Sequence, residues 1–239
     1  MFKLSILAVA AHPDDVELSC AGTLIKHAQL GYKTGILDLT QGELGTKGTP
    51  AIRKKEADAA SKIMGISYRE NLGLADGFFE NDKTHLIEIV KIIRHCSPEI
   101  MFINAPQDRH PDHGNAAELT KRACFLAGLV KIETSYMGAI QKPWRPKQIF
   151  HYVQDTLLPV DFVIDITQQF ELKMDAIKAF GSQFYNPNSN EPKTYISDEK
   201  YFAYIQARAT EFGHSISTLY GEGFIKTRQI GLENIFNLI

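Results

Sequence analysis

The chain has 239 residues, 44% hydrophobic and 23% charged, enough for one globular unit with a substantial core. Its 26 basic and 28 acidic residues leave a net charge of −2, which gives neither a nucleic-acid footprint nor a polybasic membrane patch. Three cysteines without CxxC spacing fit buried structural thiols in a reducing cytoplasm rather than a disulfide framework.

Strand and helix signals alternate through the first half. Leu4 to Ala10 is an apolar run too short to span a membrane and reads as a strand. From Glu17 to Leu30, Leu18, Ala21, Leu24, Ile25 and Ala28 recur at helical spacing, with Gly31 as the stop. Thr34 to Thr40 is a second strand. A loop with Gly42, Gly45 and Gly48 leads to Pro50 and a helix over Ala51 to Met64, stopped by Gly65. Ser67 to Leu72 is a short strand, 71–82 a loop, and Thr84 to Cys96 an amphipathic helix ended by Ser97-Pro98. Ile100 to Asn104 is a fourth strand, and Gly114 to Val130 is helical. The alternation predicts an α/β fold: a Rossmann-like, mostly parallel sheet with helices on both faces. The later part is less regular, with strands at Gln148 to Gln154, Asp161 to Ile166 and Glu222 to Thr227. Helices are expected at Gln168 to Phe180 and Ser197 to Phe212, around a polar loop at 186–190.

Two turns carry the chemistry. Ala11-His12-Pro13-Asp14-Asp15 follows the first strand and Asp108-Arg109-His110-Pro111-Asp112-His113 follows the fourth. Parallel strands bring such turns together at the carboxyl edge of a sheet. In each, proline holds the preceding histidine extended. Helix capping accounts for one acid after Pro13, but His12, Asp14, Asp15 and Glu17 exceed what a cap requires. In the second turn Asp112 can cap and His113 opens the helix. Imidazole and carboxylate donors without thiolate suit zinc, iron(II) or a similar ion. Two histidines and one acid leave a coordination position open, as catalytic sites do. Spacing leaves open whether Asp14 or Asp15 binds the metal. His27, His85, His95, His151 and His214 lack nearby acids at ligand spacing and read as structural or exposed. The glycine loop lacks both the Walker lysine and the dinucleotide fingerprint, which argues against nicotinamide chemistry.

These turns resemble the zinc-dependent deacetylases related to the enzyme that de-N-acetylates N-acetylglucosaminyl-phosphatidylinositol. The stretches 14–20, 41–46, 69–74, 76–81 and 179–185 resemble the bacillithiol-biosynthesis branch, which removes acetyl from N-acetylglucosaminyl-malate. The resemblance implies a single deacetylase domain over 1–239, with 1–135 the core carrying both turns and 136–239 completing the pocket. It implies zinc on His12, Asp15 and His113, with Asp14 as general base. His110 would face the metal and stabilise the oxyanion, with Asp112 holding its imidazole as the cation. Arg53 would bind sugar hydroxyls, although Arg53-Lys54-Lys55 otherwise reads as a solvated helix face. Tyr195 matches a pocket tyrosine of related enzymes. A malate aglycone calls for cations at the rim, and Arg109 is the candidate, with Lys142 and Arg145 behind it. Relatives form homo-oligomers, often hexamers; the partner expected here is a small-molecule glycoside. The rival functions are a broader N-acetylglucosamine or chitooligosaccharide deacetylase and a metal-binding protein without turnover.

Overall fold

The computed structural model describes residues 3–186 and 191–238. Positions 187–190 of the polar loop lie outside the described residues. The chain runs β1 (Ile6–Ala10), α1 (Asp15–Gln29), β2 (Thr34–Thr40), α2 (Pro50–Met64), β3 (Tyr68–Leu74), α3 (Lys83–Cys96), β4 (Ile100–Ile103) and α4 (Pro111–Ala127). A hairpin, β5 (Ser135–Tyr136) and β6 (Ala139–Ile140), follows. Then come β7 (Gln148–Tyr152), β8 (Phe162–Asp165), α5 (Phe170–Lys178), α6 (Lys200–Ser215) and β9 (Gly221–Lys226).

Seven strands form one sheet in the order β3-β2-β1-β4-β7-β9-β8. The first five are parallel, and β9 runs antiparallel to both β7 and β8. Side chains alternate across β1: Ile6, Ala8 and Ala10 join the core under α1, α2, α5 and α6. Leu7 and Val9 join the core under α3 and α4. Both faces are covered, which is why β1 reads as a continuous apolar run and β2 is buried along its whole length. The chain leaves β1 toward β2 and β3, then returns to place β4 on the other side of β1. The crevice between the ends of β1 and β4 is the topological switch point, where open α/β sheets bind ligands. Among the described residues no helix is long and apolar enough to cross a membrane.

Local signals explain most boundaries. Thr49 caps α2 by accepting from the Ile52 N–H, Pro50 opens it, and Gly65 closes it in the left-handed region. Asp82 caps α3 and Ser97 ends it. Several elements differ from expectation: α1 starts two residues earlier, at Asp15, α6 is displaced by three residues to Lys200–Ser215, and the β5–β6 hairpin was not anticipated. Helix α4 starts three residues earlier, at Pro111, because proline's fixed φ suits the first helical position and His110 supplies the cap. Strand β3 runs on to Leu74 through a register shift against β2 between Asp38 and Thr40, which carries the chain on to Asp76.

Candidate active site

His12 stands just beyond β1, and its backbone N–H donates to Asp15 Oδ2 at 3.0 Å. Asp15 opens α1, and Asn104 and Gln154, from the ends of β4 and β7, fasten it. Asn104 donates to Oδ2 at 3.2 Å and Gln154 to Oδ1 at 2.6 Å. His113 Nε2 lies 3.2 Å from Asp15 Oδ1 and His12 Nδ1 lies 3.7 Å from Oδ2, so one buried carboxylate stands between the two imidazoles. The far nitrogen of His113, Nδ1, is 2.6 Å from Asp108 Oδ2. A carboxylate behind an imidazole fixes its tautomer and orientation.

His110 joins from the second turn, its ring 4.6 Å from His12 and 5.3 Å from His113. The structure corrects the role expected of Asp112. Its carboxylate lies 3.3 Å from His12 Nε2 and accepts the Gly77 N–H at 2.9 Å. His110 Nδ1 instead accepts the Asp112 backbone N–H at 3.3 Å. The nitrogen left for a proton in the neutral ring is Nε2. Asp76, 3.0 Å from His12 Nε2, was not foreseen as a site residue, because the register shift in β3 delivers it.

Asp14 precedes α1 with φ +121° and makes no cap hydrogen bond. Its Oδ2 accepts from Arg53 Nη2 at 2.9 Å, and the same nitrogen donates to the Pro13 carbonyl at 2.6 Å. Arg53 is 5% exposed, so it is no solvated helix face; its guanidinium is held by Asp14, Pro13 and, through Nη1, the Gly42 carbonyl. Gly42 has φ +65°, and a Cβ there would meet Arg53 Nη1 at 1.9 Å, so glycine is what lets the arginine through.

Burial pushes the Asp14 carboxyl up to about 7, with the Arg53 charge only partly opposing it. Burial also opposes ionisation of Asp15, but the charges and hydrogen bonds of His113 and His12 prevail and hold it well below the usual carboxylate range. For His12 and His113 burial pulls downward. Hydrogen bonds that the ring donates to the carboxylates of Asp112, Asp15 and Asp76 nevertheless raise His12 well above its ordinary value, and Asp15 with Asp108 raises His113 to about 9. His110 is lowered, by burial first and then by the two cationic rings beside it.

Among the described residues, donor atoms of His12, His110 and His113 lie within 4.8 Å of one another, as do those of His12, Asp76 and Asp112. With Asp15 between His12 and His113, the donors are imidazole nitrogens and carboxylate oxygens. That chemistry fits a divalent ion such as zinc or iron(II).

His12, Asp14, Asp15, Asp76, His110 and His113 line a cavity of about 300 Å³, at the lower end of small-molecule sites. Arg109 and Tyr195 reach its rim together. Arg109 Nε donates to Asp155 Oδ2 at 2.9 Å, its guanidinium lies 4.5 Å from the Tyr195 ring, and the Tyr195 hydroxyl donates to Asp155 Oδ1 at 3.3 Å. Lys142 and Arg145 do not line the cavity. Arg145 packs over Phe125, where its Nη2 donates to the Phe125 carbonyl.

Residues 7–124 match the PIG-L family, described as GlcNAc-PI de-N-acetylase. A diacetylchitobiose deacetylase of Thermococcus kodakarensis is 28% identical over 190 residues, covering 75% of this chain and 70% of that protein. A probable N-acetyl-alpha-D-glucosaminyl L-malate deacetylase 2 of Bacillus subtilis is 26% identical over 229 residues, covering 84% and 98%. The crystal structure of a conserved protein from Thermus thermophilus superposes with a TM-score of 0.86 at 33% identity, covering 97% of this chain and 98% of that one.

Proposed function

The chain belongs to the PIG-L family, and from that premise we propose that it is a metal-dependent amidohydrolase that removes the acetyl group from an N-acetylglucosaminyl conjugate. Family membership alone does not set a reaction; the site has to carry it. One observation supports the reading above the others. The Asp15 carboxylate stands between His12 and His113 while Asp14, buried beside it and held by Arg53, faces the same cavity.

In this reading His12, Asp15 and His113 hold a divalent ion, zinc by preference, with Asp76 and Asp112 bracing His12 from behind. When bound, the ion would supply Lewis acidity toward the amide carbonyl and toward a water molecule. The chain's own residues do the rest. Asp14 accepts a proton from the water that attacks the acetamide carbon. His110, neutral and protonated on Nε2, donates a hydrogen bond to the oxyanion that develops on the former carbonyl oxygen. As the carbon–nitrogen bond breaks, Asp14 returns the proton to nitrogen, leaving acetate and a free amine. Arg53 positions Asp14, and Arg109 with Tyr195 borders the path to the sugar. The substrate we favour is N-acetylglucosaminyl-malate of bacillithiol biosynthesis, handled in the cytoplasm, where three buried free thiols stay reduced.

Acetate release from N-acetylglucosaminyl-malate, N-acetylglucosamine and diacetylchitobiose by the zinc-loaded protein tests the proposal. We expect the malate conjugate to have the highest kcat/KM. Equal or greater turnover of the other two would retain the deacetylase and remove the bacillithiol assignment. No acetate from any of them would remove both.

A further inference from the structure

The cations on the cavity wall differ in what they face. Arg53 is engaged by Asp14 and two backbone carbonyls, and Arg109 is paired with Asp155. His12, His110 and His113 belong to the metal and acid cluster. The remaining cation, Lys47, lines the cavity at 6% exposure, and among the described residues its ammonium has neither an ion pair nor a hydrogen-bond partner. A lysine this buried normally has a counter-charge, because desolvating an unpaired ammonium is costly.

The backbone around it is fixed. Gln183 Nε2 donates to the Lys47 carbonyl at 2.8 Å and to Ser182 Oγ at 2.9 Å. Gly48 has φ +72°, and a Cβ there would lie 2.6 Å from Ser182 Oγ, so the loop seats closely on that segment. Ser182 is in turn held by Glu56 through its N–H at 2.7 Å and its hydroxyl at 2.8 Å. A lysine on a loop braced from α2 and from the segment after α5 is preorganised, not a free surface chain.

Resting on the deacetylase function proposed above, we infer that Lys47 is the specificity-determining residue of this site: it binds a carboxylate or phosphate on the conjugate attached to the N-acetylglucosaminyl unit. The counter-charge that Lys47 lacks among the described residues then arrives with the substrate. Anion recognition falls to the loop between β2 and α2, not to the Arg109 side of the rim, where Asp155 already neutralises the guanidinium.

The test compares the zinc-loaded wild type with Lys47→Met and Lys47→Arg on N-acetylglucosaminyl-malate, N-acetylglucosamine 1-phosphate and diacetylchitobiose. Thermal midpoints confirm that each variant is folded. We expect Lys47→Met to lower the ratio of anionic to neutral kcat/KM by about 10- to 100-fold, the range of one charge-assisted hydrogen bond. The loss should fall on KM, and Lys47→Arg should recover most of it. The anionic substrate that suffers the larger loss identifies carboxylate or phosphate as the group recognised. An unchanged ratio, or a loss confined to kcat, would overturn the inference. If the wild type releases no acetate at all, the deacetylase reading fails on its own, and calorimetric titration of N-acetylglucosaminyl-malate decides the role of Lys47. Binding at least tenfold weaker in Lys47→Met supports it; equal or absent binding overturns it.

Discussion

Asp14 adopts φ +121°, a conformation rare for residues with a side chain, which costs on the order of 1–3 kcal/mol. Had Asp14 taken ordinary extended geometry it could have capped α1; here its carboxylate instead meets the guanidinium of Arg53. A strained backbone beside a cluster of titratable groups is the pattern of a residue placed for chemistry. We therefore predict that Asp14→Asn, which keeps the shape and can still engage Arg53, takes up one equivalent of zinc yet loses about 10²- to 10⁴-fold in kcat. Zinc analysis beside an acetate assay checks both halves, and a variant with full turnover would remove Asp14 as the base. Residue identities in the two turns were legible in the sequence because proline, acid and histidine cluster there. Their partners were not. Asp108 lies five residues from His113, but that it supports the imidazole is a fact of three-dimensional geometry. The partner of Arg53 is likewise invisible in Arg53-Lys54-Lys55, where only spacing can be read.

At the scale of elements, α1 is broken at Cys20 (φ −138°, ψ 19°). Glu222 of β9 takes up the N–H groups just beyond the break, from Gly22 at 3.0 Å and Thr23 at 2.7 Å, and also the Thr23 hydroxyl at 2.6 Å. Arg208 of α6 donates to the Leu18 carbonyl at 3.3 Å. Lys173 of α5 closes the arrangement by donating to Glu222 Oε1 at 2.6 Å. One carboxylate thus ties the helix that carries Asp15 to the late part of the chain, with both members of the ion pair buried. Glu222→Gln would leave the Lys173 ammonium uncompensated, and we predict about 3–5 kcal/mol of lost stability in a denaturant titration. A loss below about 1 kcal/mol would mean that the pair does not hold α1 in place. Helices α2 and α3 could be read almost to the residue, since Pro50 and Gly65 bound the first and Ser97-Pro98 stops the second; their caps, Thr49 and Asp82, came with the structure. The β5–β6 hairpin could not, because its two-residue turn places Met137 at φ +50°, against that residue's preference. Nor could the extension of β3, since a register shift depends on the neighbouring strand.

For the whole molecule, the sheet order explains why residues from two distant turns share one cavity. Strands β1 and β4 are neighbours, the chain reverses its direction of growth between them, and both turns open at their carboxyl ends. That juxtaposition was foreseeable from strand-helix alternation; the antiparallel pairing of β9, which brings Glu222 beneath α1, was not. We propose that the two turns form one metal centre that hydrolyses an acetamide. Its most direct measurement is acetate release from N-acetylglucosaminyl-malate by protein stripped of metal and then titrated with zinc. We predict no release from the stripped protein and full recovery at one zinc per chain. Undiminished release without metal, or zinc bound at that stoichiometry with no release, would contradict it.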